Sequence, residues 1–131
     1  MSFEIILITH RKIGEELLAT AQEIYGHKLP IPCMAIEIYP NSQIEAVGAH
    51  LSFLVSEKVK QKEILILTDL CGATPCNLAQ QLLPHDRIAV ISGVNLPMLI
   101  RILNYPTLSL NAVIDKALSS TECIRVLTTS H

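Results

Sequence analysis

Two apolar runs end alike, and their endings limit what this chain can build. Ile5-Ile6-Leu7-Ile8-Thr9 stops at His10, and Ile64-Leu65-Ile66-Leu67-Thr68 stops at Asp69. Short, unbroken runs of branched aliphatic residues suit strands covered on both faces, as in parallel sheets. If the two lie parallel in one sheet, the imidazole and the carboxylate emerge at the same carboxyl edge. That edge is where open α/β sheets hold their ligands. A carboxylate there holds one ring nitrogen and leaves the other free as a base or nucleophile.

The rest of the chain alternates in kind. Residues 3–9 read as the first strand. Ile13, Leu17, Leu18, Ala21 and Ile24 then recur at helical spacing over 11–25, before Gly26, Pro30 and Pro32 punctuate a loop. Residues 33–39 give a second strand with Met34, Ile36 and Ile38 on one face. Ser42 and Glu45 have the spacing of a capping box. They open a helix to about residue 60, with Ile44, Val47, Leu51, Leu54 and Val55 inward. Residues 63–68 form the third strand. Thr74 as cap and Pro75 in the first turn open a helix that stops near Leu83, ahead of Pro84. A fourth strand follows over 87–92. Asn95 and Ser109 cap helices over 95–104 and 109–118, and residues 122–127 read as a fifth strand. This alternation predicts an α/β fold: a doubly wound, mainly parallel open sheet with helices on both faces. One domain spanning 1–131 is expected.

Composition narrows the function. Half the 131 residues are hydrophobic, yet no run nears the roughly 18 apolar residues of a membrane span. The excess fits a sheet buried on both sides, with a subunit interface in addition. Net charge is −2, Lys and Arg are dispersed, and aromatic residues are few, so nucleic-acid binding is not expected. Cys33, Cys71, Cys76 and Cys123 are scattered, with no Cys-x-x-Cys pair. They read as reduced thiols, and with no basic leader at the start a cytoplasmic protein is expected.

With every strand-to-helix loop on one side, three loops face one crevice. They are Thr9-His10-Arg11, residues 68–74, and Ser92-Gly93-Val94-Asn95. Gly72 and Ala73 keep side-chain bulk low at the start of a helix, where backbone amides and the helix dipole suit an anion. Thr74 adds a hydroxyl. A histidine beside such a cradle, with Asp69 fixing its tautomer, suits a phosphohistidine, since phosphoryl transfer needs mainly positioning and electrostatics. Arg11 is placed to hold a phosphate or steer an acidic partner, whereas Lys12 reads as a solvated residue. Ser92 and Asn95 are supporting candidates, with plain helix capping the simpler role for Asn95; Asn77 is a further hydrogen-bond donor. Cys71 near a helix start is either a redox-sensitive thiol or a small filler. His10, Asp69 and Cys71 lack metal-ligand spacing, so no metal and no other cofactor is expected.

Thr9-His10, the segment Leu67-Thr68-Asp69-Leu70-Cys71-Gly72-Ala73-Thr74-Pro75-Cys76-Asn77 and the segment Ser92-Gly93-Val94-Asn95-Leu96-Pro97-Met98 together resemble the IIA component of the mannose family of the bacterial sugar phosphotransferase system. The resemblance covers nearly the full chain, and the third segment is its most specific part. It implies that His10 receives a phosphoryl group from the carrier HPr and passes it to a IIB component. It makes Asp69 the residue that orients the histidine, and it puts Thr74 where the family usually has a phosphate-binding serine. The membrane permease would be met only indirectly. The family pattern often has Asp-Thr-Trp-Gly-Gly-Ser-Pro, whereas this chain has Asp69-Leu70-Cys71-Gly72-Ala73-Thr74-Pro75. Losing the tryptophan removes an apolar contact surface beside the histidine, which bears on partner choice more than on chemistry. The resemblance also implies a homodimer that exchanges its last, antiparallel strand; residues 122–127 fit a swapped strand or one folded back on its own sheet.

Three alternatives remain beside this reading. The related phosphocarrier of dihydroxyacetone kinase differs only in its partner. A regulatory module would be phosphorylated and move no sugar. A small-molecule-binding α/β domain would use His10 as a passive contact. The identity of the sugar is not encoded in a component of this kind.

Overall fold

A computed structural model of the chain describes residues 3–128. Four parallel strands form one sheet: β1 (Phe3–His10), β2 (Cys33–Ile38), β3 (Glu63–Thr68) and β4 (Ile88–Ser92). Their spatial order is β2-β1-β3-β4. The two runs that end at His10 and Asp69 are therefore the paired central strands, with Ile8 opposite Thr68. Both are sealed on both sides, which explains their lack of polar alternation.

Among the described residues five α-helices cover the sheet: α1 (Ile13–Tyr25), α2 (Ile44–Lys58), α3 (Thr74–Gln80), α4 (Leu96–Leu103) and α5 (Leu110–Leu118). On one face Phe3, Ile5, Leu7, Leu65 and Leu67 meet Ala21 of α1, Leu99 and Ile102 of α4, and Val113 of α5. On the other face Ile6, Ile8, Ile64 and Ile66 meet Leu51 and Val55 of α2 and Leu78 of α3. The chain leaves β1 toward β2 and later returns past β1 to β3. It thus reverses direction between the two central strands, which makes their carboxyl ends a topological switch point.

The expected doubly wound architecture is present, with local differences, among them Ile44, which was expected inward on α2 and is exposed. Ile13 and Ile24 of α1 are largely exposed, not inward, because the helix lies on the sheet along Leu17, Leu18 and Ala21. Ser42 makes no capping box: its hydroxyl accepts from the Tyr39 N–H at 2.9 Å, and Gln43 is the residue before α2, without a side-chain cap. Thr74 does not cap α3 but is its first residue, preceded by Ala73. That helix also ends at Gln80, short of Leu83. Most consequentially, residues 122–127 form no fifth strand. A 3₁₀ turn over Ser119–Cys123 extends α5 instead, held by Arg101, which donates to the Ser119 hydroxyl at 3.1 Å. The chain then runs on without secondary structure, with Ile124, Val126 and Leu127 between 75% and 87% exposed. Asn95 and Ser109 cap α4 and α5 as expected, accepting from the N–H groups of Met98 and Ala112. His131 lies outside the described residues.

The junction of β1 and α1 is tight. A Cβ placed on Gly14 would stand 3.1 Å from the Leu7 Cβ and 3.2 Å from the Thr9 hydroxyl, which itself accepts the Gly14 N–H at 2.8 Å. Neither neighbour is the end of a flexible side chain. Gly14→Ala is expected to lower the melting temperature, because an overpacking cost of about 1–3 kcal/mol outweighs the ~1 kcal/mol of helix propensity gained. Thermal unfolding of the two proteins measures this.

All four cysteines are free thiols. Burial, aided by the nearby Glu4 charge, pushes the Cys33 thiol up to about 12, so at pH 8 almost none of it is thiolate. Cys76 is buried, whereas Cys71 and Cys123 are exposed. An aromatic disulfide reagent at pH 8 should therefore titrate Cys71 and Cys123 quickly in the native protein, and Cys33 and Cys76 only after unfolding.

Candidate functional site

His10 is the last residue of β1, and Asp69 follows β3 directly. The paired strands carry them to the same point, although 59 residues separate them along the chain. One carboxylate oxygen, Asp69 Oδ2, lies 2.9 Å from His10 Nδ1 and accepts the His10 backbone N–H at 3.0 Å. The same atom thus fixes both the strand end and the ring. An ionised carboxylate only accepts, so the ring nitrogen facing it carries the proton and Nε2 carries the lone pair. The Asp69 side chain is 11% exposed and that of His10 43%, so the anion is shielded while the ring reaches solvent.

The other Asp69 oxygen, Oδ1, is buried and has no hydrogen-bond partner among the described residues. The buried hydroxyls of Thr68 and Ser92, residues paired across β3 and β4, are likewise unpartnered.

Short ties fix the loop after His10. The Arg11 N–H donates to the Ile38 carbonyl at 2.8 Å, extending the β1–β2 pairing by one bond. Arg11 itself has φ +47, the left-handed region, where a side chain costs about 1–2 kcal/mol. Its guanidinium carbon sits 5.7 Å from the centroid of the Tyr39 ring. On the far side, Gly93 and Val94 both donate backbone N–H groups to the Thr68 carbonyl, folding the β4 loop over the end of β3.

A hollow of about 260 Å³ opens beside the imidazole, lined by His10, Ile38, Tyr39, Pro40, Ile44 and Thr74. Thr74, free of the capping role expected for it, stands in the wall with His10. Gly72 takes φ +84 to turn the loop, and the Ala73 N–H is engaged with the Leu70 carbonyl at 3.4 Å rather than aimed at the hollow. Ser92 and Asn95 lie outside the lining. Asn95 is spent on capping α4 and on a 3.3 Å bond from its Nδ2 to the Gly93 carbonyl. Leu70 is 60% exposed, and its neighbour Cys71 is exposed as well. Among the described residues no three metal-binding side chains cluster.

The walls supplied by Ile38, Tyr39, Pro40 and Ile44 were not expected from the sequence. The signal was available, because the loop after β2 leaves the same carboxyl edge as the other three. Beyond this wall Tyr39 donates its hydroxyl proton to Glu37 at 2.6 Å. Glu37 also shares a hydrogen bond with Glu15, which raises the Glu15 carboxyl above its ordinary range and lowers that of Glu37.

Comparison with known proteins bears on the family and the fold of the chain. The family described as PTS system fructose IIA component matches residues 4–118. The chain is similar to the PTS system mannose-specific EIIAB component of Escherichia coli K12, at 29% identity over 104 residues. That similarity takes in 79% of this chain and 32% of the relative, so the chain spans about a third of the relative's length. Among solved structures, phosphotransferase system component EIIA from Streptococcus agalactiae superposes with a TM-score of 0.80 at 29% identity, covering 95% of this chain and 96% of that one. The mannose/sorbose specific IIA subunit from Enterococcus faecalis shares the fold, with a TM-score of 0.84 at 24% identity over 98% and 96% of the two chains. With the family's match running over most of the sequence and the fold shared nearly end to end, this chain belongs to the fructose IIA component family of the sugar phosphotransferase system.

Proposed function

We propose that the protein is a phosphoryl carrier in which His10 Nε2 takes a phosphoryl group from phosphorylated HPr and hands it to a IIB component. The observation that carries this reading is the 2.9 Å approach of Asp69 Oδ2 to His10 Nδ1 at the switch point. The Nε2 lone pair attacks phosphorus as the donor's P–N bond breaks, and the donor ring nitrogen keeps that bond's electrons. The proton stays on Nδ1, and Asp69 holds the positive charge that the His10 ring acquires. Thr74 offers its hydroxyl to the phosphoryl oxygens across the hollow. Transfer to the acceptor is the same step reversed. Its place in this reading is the cytoplasm, and no described helix is long and apolar enough to cross a membrane.

Incubation with phosphorylated HPr is expected to give acid-labile, alkali-stable label on the wild type and none on His10→Ala. Equal labelling of His10→Ala overturns the assignment. Asp69→Asn keeps an acceptor for the ring but removes the charge, and should slow labelling roughly 10²-fold or more. Leu70 and Cys71, both open to solvent beside the site, make the acceptor the variable part of the reading. Label that passes to a dihydroxyacetone kinase subunit, or to no IIB at all, would redirect it to the kinase phosphocarrier or to a regulatory module.

The same reading includes a homodimer built by exchange of the C-terminal segment. Two features support it: among the described residues β4 is an edge strand paired with β3 alone, and the exposed apolar residues Ile124, Val126 and Leu127 follow the 3₁₀ turn. An unpaired edge and an unburied apolar segment on one molecule are complementary between two. Light scattering should give a dimer mass for the full chain and a monomer mass once residues 124–131 are removed; a monomeric full chain counts against the exchange.

A further inference from the structure

The residue beside the nucleophile carries a side chain that its own backbone disfavours. Among the described residues Arg11 is the only non-glycine at positive φ. Arginine has no short polar group to ease that conformation as Asn or Asp does. Glycine would hold the same turn without strain, because what fixes the turn is backbone: the Arg11 N–H on the Ile38 carbonyl. A strained side chain kept one residue from a reactive atom points to a use for that side chain.

Its position indicates the use. The guanidinium rests over Tyr39, which lines the hollow together with His10 and Thr74. The ring is anchored by the 2.6 Å bond from its hydroxyl to Glu37. No carboxylate lies within 4 Å of the Arg11 guanidinium among the described residues, so its five N–H donors are not committed to an ion pair. An exposed cation–π contact is weak, whereas a planar guanidinium on a phosphoryl dianion forms two parallel charge-assisted bonds.

Resting on the carrier reading above, we propose that Arg11 is a phosphoryl clamp that lies on Tyr39 while His10 is free and turns onto the phosphoryl oxygens once His10 is charged. The clamp then sets how fully the carrier is charged at equilibrium and how long the charge lasts. Spontaneous loss breaks the Nε2–P bond, with the ring nitrogen keeping the electron pair. Water supplies the new oxygen, and its protons leave with inorganic phosphate. Two guanidinium bonds on the phosphoryl oxygens oppose the departure of that group.

Arg11→Gly is the informative variant, since it removes the guanidinium and relieves the left-handed strain, so its melting temperature should match or exceed that of the wild type. The measurements are the share of label on the carrier at equilibrium with phosphorylated HPr, and the half-life of the isolated phosphoprotein. Arg11→Gly is expected to lower the equilibrium ratio about tenfold and to shorten the half-life. Arg11→Lys, which keeps the charge and loses the planar fork, should fall between the two. Wild type and Arg11→Gly with equal occupancy and lifetime overturn the clamp while leaving the carrier reading intact, as does a lysine variant equal to the wild type. A wild type that takes no label at all overturns both.

Discussion

A single carboxylate oxygen joins the two central strands where they end. Asp69 Oδ2 accepts from both the backbone and the ring of His10, so the same atom closes the end of β1 and sets the tautomer of the side chain that follows it. The arrangement depends on β1 and β3 being paired in parallel and in register, with Ile8 beside Thr68. A slip of one residue would turn the imidazole to the other face of the sheet and part it from Asp69. The packing that makes the sheet stable is therefore also what aligns the site.

The strand order explains why a site lies there at all. Helices descend from the two central strands on opposite faces, since β1 leads to α1 and β3 leads to α3. No helix can fill the space above the junction, and the hollow beside His10 occupies it. Its composition is mixed: Ile38, Pro40 and Ile44 on one side, Thr74 and the ring of Tyr39 on the others. In the proposed reaction the apolar walls would limit the access of water, and the few polar atoms would direct the group that is transferred. Leu70 and Cys71 are exposed on the loop that follows Asp69 and lie outside this lining.

Much of this was legible in the residues. Apolar runs with no polar alternation marked β1 and β3 as buried on both faces, and the alternation of strands and helices gave the sheet its class. The pairing of His10 with Asp69 followed from two strands ending one residue apart in kind. Expectations failed where a local pattern had competition. Ser42 and Glu45 have the right spacing for a capping box, but the Tyr39 N–H lies in the turn before it and takes the serine hydroxyl. Thr74 has a good cap's chemistry, yet the extended Ala73 precedes the helix and leaves the threonine inside it. Residues 122–127 have strand composition, but the helical turn of α5 continues through Ser119–Cys123 and carries them away from the sheet.

The sequence alone determined the fold class, the ends of the central strands and the histidine and aspartate that meet there, because side-chain burial and strand period are local properties written residue by residue. Only the tertiary structure decided which oxygen of Asp69 meets which nitrogen of His10, that Tyr39 and Ile44 wall the hollow, and that Arg11 stands strained over an aromatic ring. Those facts depend on distances between segments remote in the chain, and such distances are fixed by the packing of whole elements.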